Sequence, residues 1–161
     1  ANVLIRSKDL QKASDLLLGE IASQLEKQIG VDLAINSAFN EACANYFKAA
    51  DDPRQFYEST LLYLAYTSLN SIPLQRQQLI AYDLAVAGLI ADGMFDFGTL
   101  ISAPILTTLD PSQKWVVDFI EAASEGSLPM FESAMKQYPQ QANVSALRGT
   151  YSMIFSGCIR R

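Results

Sequence analysis

The sequence predicts an all-α fold, a right-handed stack of antiparallel helical hairpins of the α-solenoid kind. Three observations carry this. Apolar residues recur every three or four positions along nearly the whole chain. No run of alternating β-branched residues interrupts them. Helix-opening and helix-closing residues punctuate the pattern at short intervals, so consecutive helices should lie antiparallel. A length of 161 residues fits about one domain. A chain of this size buries on the order of 70% of its extended surface and needs no staples.

The elements follow in order. Leu10, Ala13, Leu17, Ile21, Leu25 and Ile29 form the first stripe, with Gly30 as its stop. Ile35, Phe39, Ala42, Cys43, Tyr46 and Ala50 form the second. Asp51-Asp52-Pro53 reads as an N-cap followed by proline at the first helical position. The helix it opens carries Tyr57, Thr60, Leu61, Leu64 and Ser68 on one face. Residues 70–73 are a break. From Leu74 to Asp92 the stripe is Leu79, Tyr82, Val86, Leu89 and Ile90, ended by Gly93. Residues 79–91 are apolar nearly all round, which marks a helix buried on more than one side.

A short helix is expected over residues 96–102, before Pro104. Asp110-Pro111 repeats the cap signal, and Trp115, Val116, Phe119, Ile120 and Ala123 form the next stripe, closed by Gly126. Ser127 caps a helix with Leu128, Phe131 and Met135. After Pro139 a last helix carries Val144, Leu147, Tyr151, Ile154, Phe155 and Cys158. Helix pairs recur at a loose spacing of about 40 residues, in the range of α-solenoid repeats. The Trp-Leu-Gly-Tyr pattern of a tetratricopeptide repeat is missing. The expected organisation is a single helical-repeat domain over 1–161, with an N-terminal hairpin (1–50), a central hairpin (52–93) and a third part (94–161). The chain starts at Ala1 and stops directly after a periodic helix, so it reads as part of something longer.

Composition chiefly excludes. Half the residues are hydrophobic, 18% are charged and the net charge is −5. Disorder and a basic nucleic-acid surface both fit this poorly. The chain has no histidine, which removes Ser-His-Asp and Cys-His catalysis and every histidine-containing zinc site. No apolar run reaches the roughly 18 residues of a membrane span. Cys43 and Cys158 are far apart and lie on apolar faces. Two buried thiols are favoured over a disulfide.

Candidate chemistry is sparse. Asp92 and Asp96 flank Gly93 as a possible metal or acid/base pair, though a helix end and an N-cap is the favoured reading. Asp51-Asp52 is read as a cap on the same grounds. Gly88, Gly93 and Gly98 lack the Lys-Ser/Thr of a phosphate loop. Gly149 and Gly157 point to close helix packing. Asn143-Val-Ser145 matches a glycosylation acceptor but serves better as a cap. No catalytic residue, cofactor or metal site is assigned. Tyr63 and Tyr66 lie off the apolar stripe and are candidates to face a neighbouring helix or a partner protein. On the last helix Tyr151, Ile154, Phe155 and Cys158 are candidates for partner contact or self-association.

Three stretches go further: FYESTLLYLAY at 56–66, LIAYDLAVAGLIADGMFDFGTLISAPIL at 79–106, and KWVVDFIEAASEGSLPMFESAM at 114–135. Together they resemble the helical region of the PCI family, and within it the subunits of the proteasome regulatory-particle lid. The segment around Phe95 and Phe97, with two glycine stops, a short helix and a proline break, is the most specific part. The resemblance is clear over about 52–140 and weaker over the first fifty residues. It implies a non-catalytic scaffold in ubiquitin-dependent protein degradation, located in cytoplasm and nucleus. Its implied partners are other lid subunits, with no nucleic acid or membrane. Family members continue into a winged-helix subdomain, and this chain stops at Arg161 before it. The alternatives are a PCI subunit of the signalosome or of a translation initiation factor, an unrelated peptide-binding helical repeat, or a hydrolase using Asp92 and Asp96.

Overall fold

The structure, a computed structural model, describes residues 10–27, 32–91 and 97–142. They are helical throughout, with turns between helices and no strand among the described residues. The chain divides into two compact units, Ala1–Ile72 and Pro73–Arg161. The division falls inside the central hairpin expected over 52–93. The 3₁₀ turn Leu69–Ser71 and the extended Ile72 interrupt the helix there, and Pro73 has no N–H to continue a ladder.

The first unit begins with a continuous helical run made of α1 (Leu10–Ser14), a π-helical segment (Asp15–Ile21) and α2 (Ala22–Lys27). Ala13 and Leu17 are buried on its inner side. This run packs on α3 (Leu33–Ala49), and α3 packs along α4 (Pro53–Tyr66). Asp32 opens α3, its carboxylate accepting from the Ala34 N–H at 3.1 Å. The Ser37 and Thr67 hydroxyls are hydrogen-bonded at 2.6 Å. That contact joins the start of α3 to the end of α4, so the two helices form an antiparallel hairpin.

The joint between them is three residues long. Asp51 takes the left-handed conformation, φ +59°, that glycine usually supplies after a helix. The Asp52 N–H then bonds back to the Phe47 carbonyl at 3.0 Å, closing the helix end. The Asp52 carboxylate accepts from the Gln55 N–H at 3.1 Å, capping α4, with Pro53 at its first position. A single residue therefore ends one helix and starts the next.

The second unit uses α5 (Leu74–Ile90), α6 (Phe97–Ile101), 3₁₀ turns at Pro104–Thr108 and Pro111–Gln113, α7 (Lys114–Glu125), α8 (Leu128–Gln137) and α9 (Pro139–Ala142). On α5, Ala81, Leu84, Ala85, Ala87, Gly88 and Leu89 are buried, an arc of about 200° at 100° per residue. The expected burial on more than one side is present, but its centre is displaced. Leu79, expected on the buried stripe, is 65% exposed because it lies opposite Ala81 and Leu84. The small alanines, not the leucine, allow close approach by the Pro104–Thr108 turn and α7.

Helix α7 is the centre of this unit. Val116, Phe119, Ile120 and Ala122 are fully buried among α5, α6 and α8. A chain of edge-on rings runs from Tyr82 to Trp115 (6.2 Å) to Phe119 (6.2 Å) to Phe131 (5.0 Å). The α7–α8 joint repeats the design of the first unit. Gly126 is left-handed at φ +62°, the Ser127 N–H bonds back to the Ala122 carbonyl at 3.1 Å, and the Ser127 hydroxyl accepts from the Met130 N–H. The expected caps at Asp110 and Ser127 are thus present. Gly30, Gly93 and the helix expected beyond residue 142 lie outside the described residues.

Candidate protein-interaction surface

Several polar groups of the described residues are engaged in local structure. The Asp52 carboxylate is occupied by the cap of α4. The Asp110 carboxylate accepts from the Ser112 hydroxyl and N–H, which hold it below the usual aspartate range. Tyr138 donates to Asp118 at 2.7 Å, and that hydrogen bond raises its hydroxyl above the usual tyrosine range. Cys43 is a free, buried thiol, pushed up to about 11 by its burial. Among the described residues no group of three or more His, Cys, Asp or Glu is placed to hold a metal ion. No described helix is long and apolar enough to cross a membrane. Gly88 and Gly98 lie in helices α5 and α6, not in a phosphate-binding loop. Asp92, Gly93, Asp96, Asn143, Gly149 and Gly157 lie outside the described residues.

Of the residues expected to face a neighbouring helix or a partner, Tyr63 is 8% exposed. The buried face of α4 is Phe56, Tyr57, Ser59, Thr60 and Tyr63, so the true stripe is rotated from the one read through Leu61 and Leu64. Phe56, Thr60 and Tyr63 follow one another at i, i+4 and i+7, a single helix face. Tyr66 is 38% exposed. Tyr151, Ile154, Phe155 and Cys158 lie outside the described residues.

Tyr66 does not stand alone. Leu62, one turn before it on α4, is also exposed, as are Leu33 and Ile35 in the first turn of α3. The Ser37–Thr67 hydrogen bond puts both pairs at the same end of the hairpin. Residues 33–40 and 59–75 contain no charged side chain. One end of the first unit is therefore rich in exposed apolar side chains, with the Asp32 carboxylate beside them engaged in the cap of α3, a composition associated with protein contact. Of these four residues, periodicity singles out Tyr66 alone. The long interval without Asp, Glu, Lys or Arg is the signal that marks the rest.

Such a helical architecture is shared by many proteins, and comparison of the sequence decides among them. Residues 1–120 match the family described as PSD13 N-terminal repeats. The chain belongs to the PSD13 N-terminal repeat family. Its relatives in that family carry proteasome names. The 26S proteasome non-ATPase regulatory subunit 13 of Dictyostelium discoideum is 32% identical over 141 residues, which is 86% of this chain and 37% of that protein. The 26S proteasome regulatory subunit RPN9 of Saccharomyces cerevisiae is 33% identical over 139 residues, 84% of this chain and 35% of that protein. Homolog B of subunit 13 from Arabidopsis thaliana is 28% identical over 137 residues, 84% and 35% respectively. The chain thus spans a little over a third of the length of these relatives. The family match includes the first fifty residues, where the PCI resemblance is weaker.

Proposed function

We propose that this chain is a non-catalytic structural part of the 26S proteasome regulatory-particle lid. It acts in ubiquitin-dependent protein degradation through protein–protein contact, in cytoplasm and nucleus. The observation that carries this reading is the 32–33% identity to proteasome regulatory subunits over 84–86% of the chain. The helical build supports it, since hairpins with short joints form stiff elements whose outer faces are available to neighbours. The partners are other lid subunits, met on a single helical-repeat domain that includes both units. Tyr66, with Leu62 beside it, is the contact surface of the first unit. Tyr151, Ile154, Phe155 and Cys158 extend contact, or self-association, to the C-terminal end.

Affinity purification tests the proposal. The tagged chain is captured from cells of its source organism beside a version carried on to the length of its relatives, and bound proteins are identified by mass spectrometry. Lid subunits should be recovered with the longer version, and Leu62→Asp with Tyr66→Asp should weaken any recovery by the chain itself. A well-folded longer version that captures a different assembly and no proteasome subunit overturns the reading.

A further inference from the structure

The outer face of α5 carries an apolar stripe that its own unit leaves partly uncovered. Leu79, Tyr82, Val86 and Ile90 follow at intervals of three, four and four, within about 80° of one another around the helix. They lie opposite the buried Ala81, Leu84, Ala85 and Gly88. Leu79 is 65% exposed, the highest value among the large hydrophobic side chains described, and Tyr82, Val86 and Ile90 are half-buried. Intervals of three and four are those of a seam between paired helices, so the shape that fits this stripe is another helix. Trp115, half-buried and edge-on to Tyr82 at 6.2 Å, borders it.

Two charges say which helix. Arg76 and Asp83 are seven residues apart on α5. Both fall on one flank of the stripe, about 60° and 40° round from Leu79. The other flank carries Gln75 and Gln78. Leu79 and Ile80 lie midway between the two charges. A two-fold axis beside Leu79 would set a second α5 antiparallel to the first and bring the same flank of each together. Arg76 of each copy then meets Asp83 of the other, and the two Leu79 side chains meet near the axis. The face is thus complementary to itself in charge as well as apolar. We propose that α5 pairs antiparallel with α5 of a second copy of this chain, centred on Leu79. Residues 74–85 overlap, a contact about 18 Å long and one helix wide. That is smaller than the roughly 800 Å² per partner of a standard interface, so the dimer is weak and forms at high concentration. The contact is distinct from the surface of Leu62 and Tyr66 in the first unit.

Sedimentation equilibrium on the whole chain tests this over about 10 μM to 1 mM, the range of a weak pairing. The parent should move from the mass of one chain toward twice that mass. The fluorescence of Trp115, the single tryptophan, should change over the same range. Leu79→Asp should stay monomeric. Leu74→Asp, at a side chain 61% exposed on the same helix but about 140° round from Leu79, should dimerise like the parent. Arg76→Asp and Asp83→Arg each set like charges against each other in a dimer of their own and should weaken it about tenfold or more. Mixed one to one, those two variants regain both opposite-charge pairs and should dimerise as strongly as the parent. Far-ultraviolet circular dichroism matching the parent checks that each variant is folded. A parent that stays monomeric throughout, a Leu79→Asp variant that dimerises like the parent, or charge variants that gain nothing on mixing overturns the proposal.

Discussion

Replacing Phe119 by alanine should cost the second unit more than any other single truncation in α7. The ring is fully buried and lies 5.0 Å from Phe131, 6.2 Å from Trp115 and 6.5 Å from Tyr138, centroid to centroid. Truncation of a buried phenylalanine costs about 3–5 kcal/mol. The alanine variant also forgoes three ring–ring interactions, each worth ~0.5–1.5 kcal/mol beyond area, which places the cost at the upper end, about 4–5 kcal/mol. Domains of this kind have about 5–15 kcal/mol in all. Trp115 is the single tryptophan of the chain and touches Phe119 directly, so its fluorescence reports this region. With a slope of about 2 kcal/mol per molar urea, the midpoint should fall by about 2 M. Phe119→Leu keeps much of the volume and should lose about half as much. A shift below about 0.5 M for Phe119→Ala, or equal shifts for alanine and leucine, would refute the claim that the ring organises this core.

Three further outcomes follow from the joints and the buried thiol. Gly126→Ala places a side chain at φ +62° with open space around it, so only backbone conformation opposes it; thermal or urea unfolding should show a loss of about 1–2 kcal/mol. Asp52→Ala removes the cap of α4 and should cost about 0.5–2 kcal/mol in the first unit, read by far-ultraviolet circular dichroism in urea. Cys43 keeps its proton in the folded chain up to about pH 11, against 9.0 when unfolded. The unfolded state therefore binds fewer protons between these values, so this group's contribution is fully present below pH 9 and is lost as pH rises toward 11. The loss, on the order of 2 kcal/mol, should be absent from Cys43→Ala when the two pH profiles are subtracted.

The parts of the fold legible in the sequence are those set by local chemistry. Asp52-Pro53, Asp110-Pro111 and Gly126-Ser127 each announce a helix boundary because the capping side chain and the backbone it satisfies are close in sequence. Asp51 was less legible, since an aspartate at φ +59° has no compositional mark that a glycine would have. Choosing which face of a helix turns inward was harder still. On α4 and α5 apolar residues surround most of the circumference, so two stripes compete. On α5 small residues decide between them by allowing closer approach, which is why Leu79 is exposed while Ala81 is not, whereas on α4 the aromatic Phe56, Tyr57 and Tyr63 turn inward. Asn40 is buried, and its amide donates to the Asn36 carbonyl at 2.8 Å, satisfying a donor inside its own helix. The π segment was hidden because an interval of four fits an α-helix over any two turns and fails only when summed. At the candidate surface the position of Tyr66 off the stripe marks it as a candidate, whereas Ile35 reads as part of the second stripe and is nonetheless 50% exposed, and Leu33 and Leu62 leave no trace in periodicity.

Packing in both units is made mainly between elements that are close in the chain: α3 with α4, α5 with the turn at Pro104–Thr108, α7 with α8. Contacts of short sequence separation close small loops, and domains built from them fold in microseconds to milliseconds. Ribosomes add about 5–20 residues per second. The first hairpin uses only residues before Pro73, so it has its partners several seconds before the second unit has been synthesised. Its apolar end is then displayed by a nascent chain still attached to the ribosome. That is the stage at which a chaperone or an assembling neighbour would first meet it.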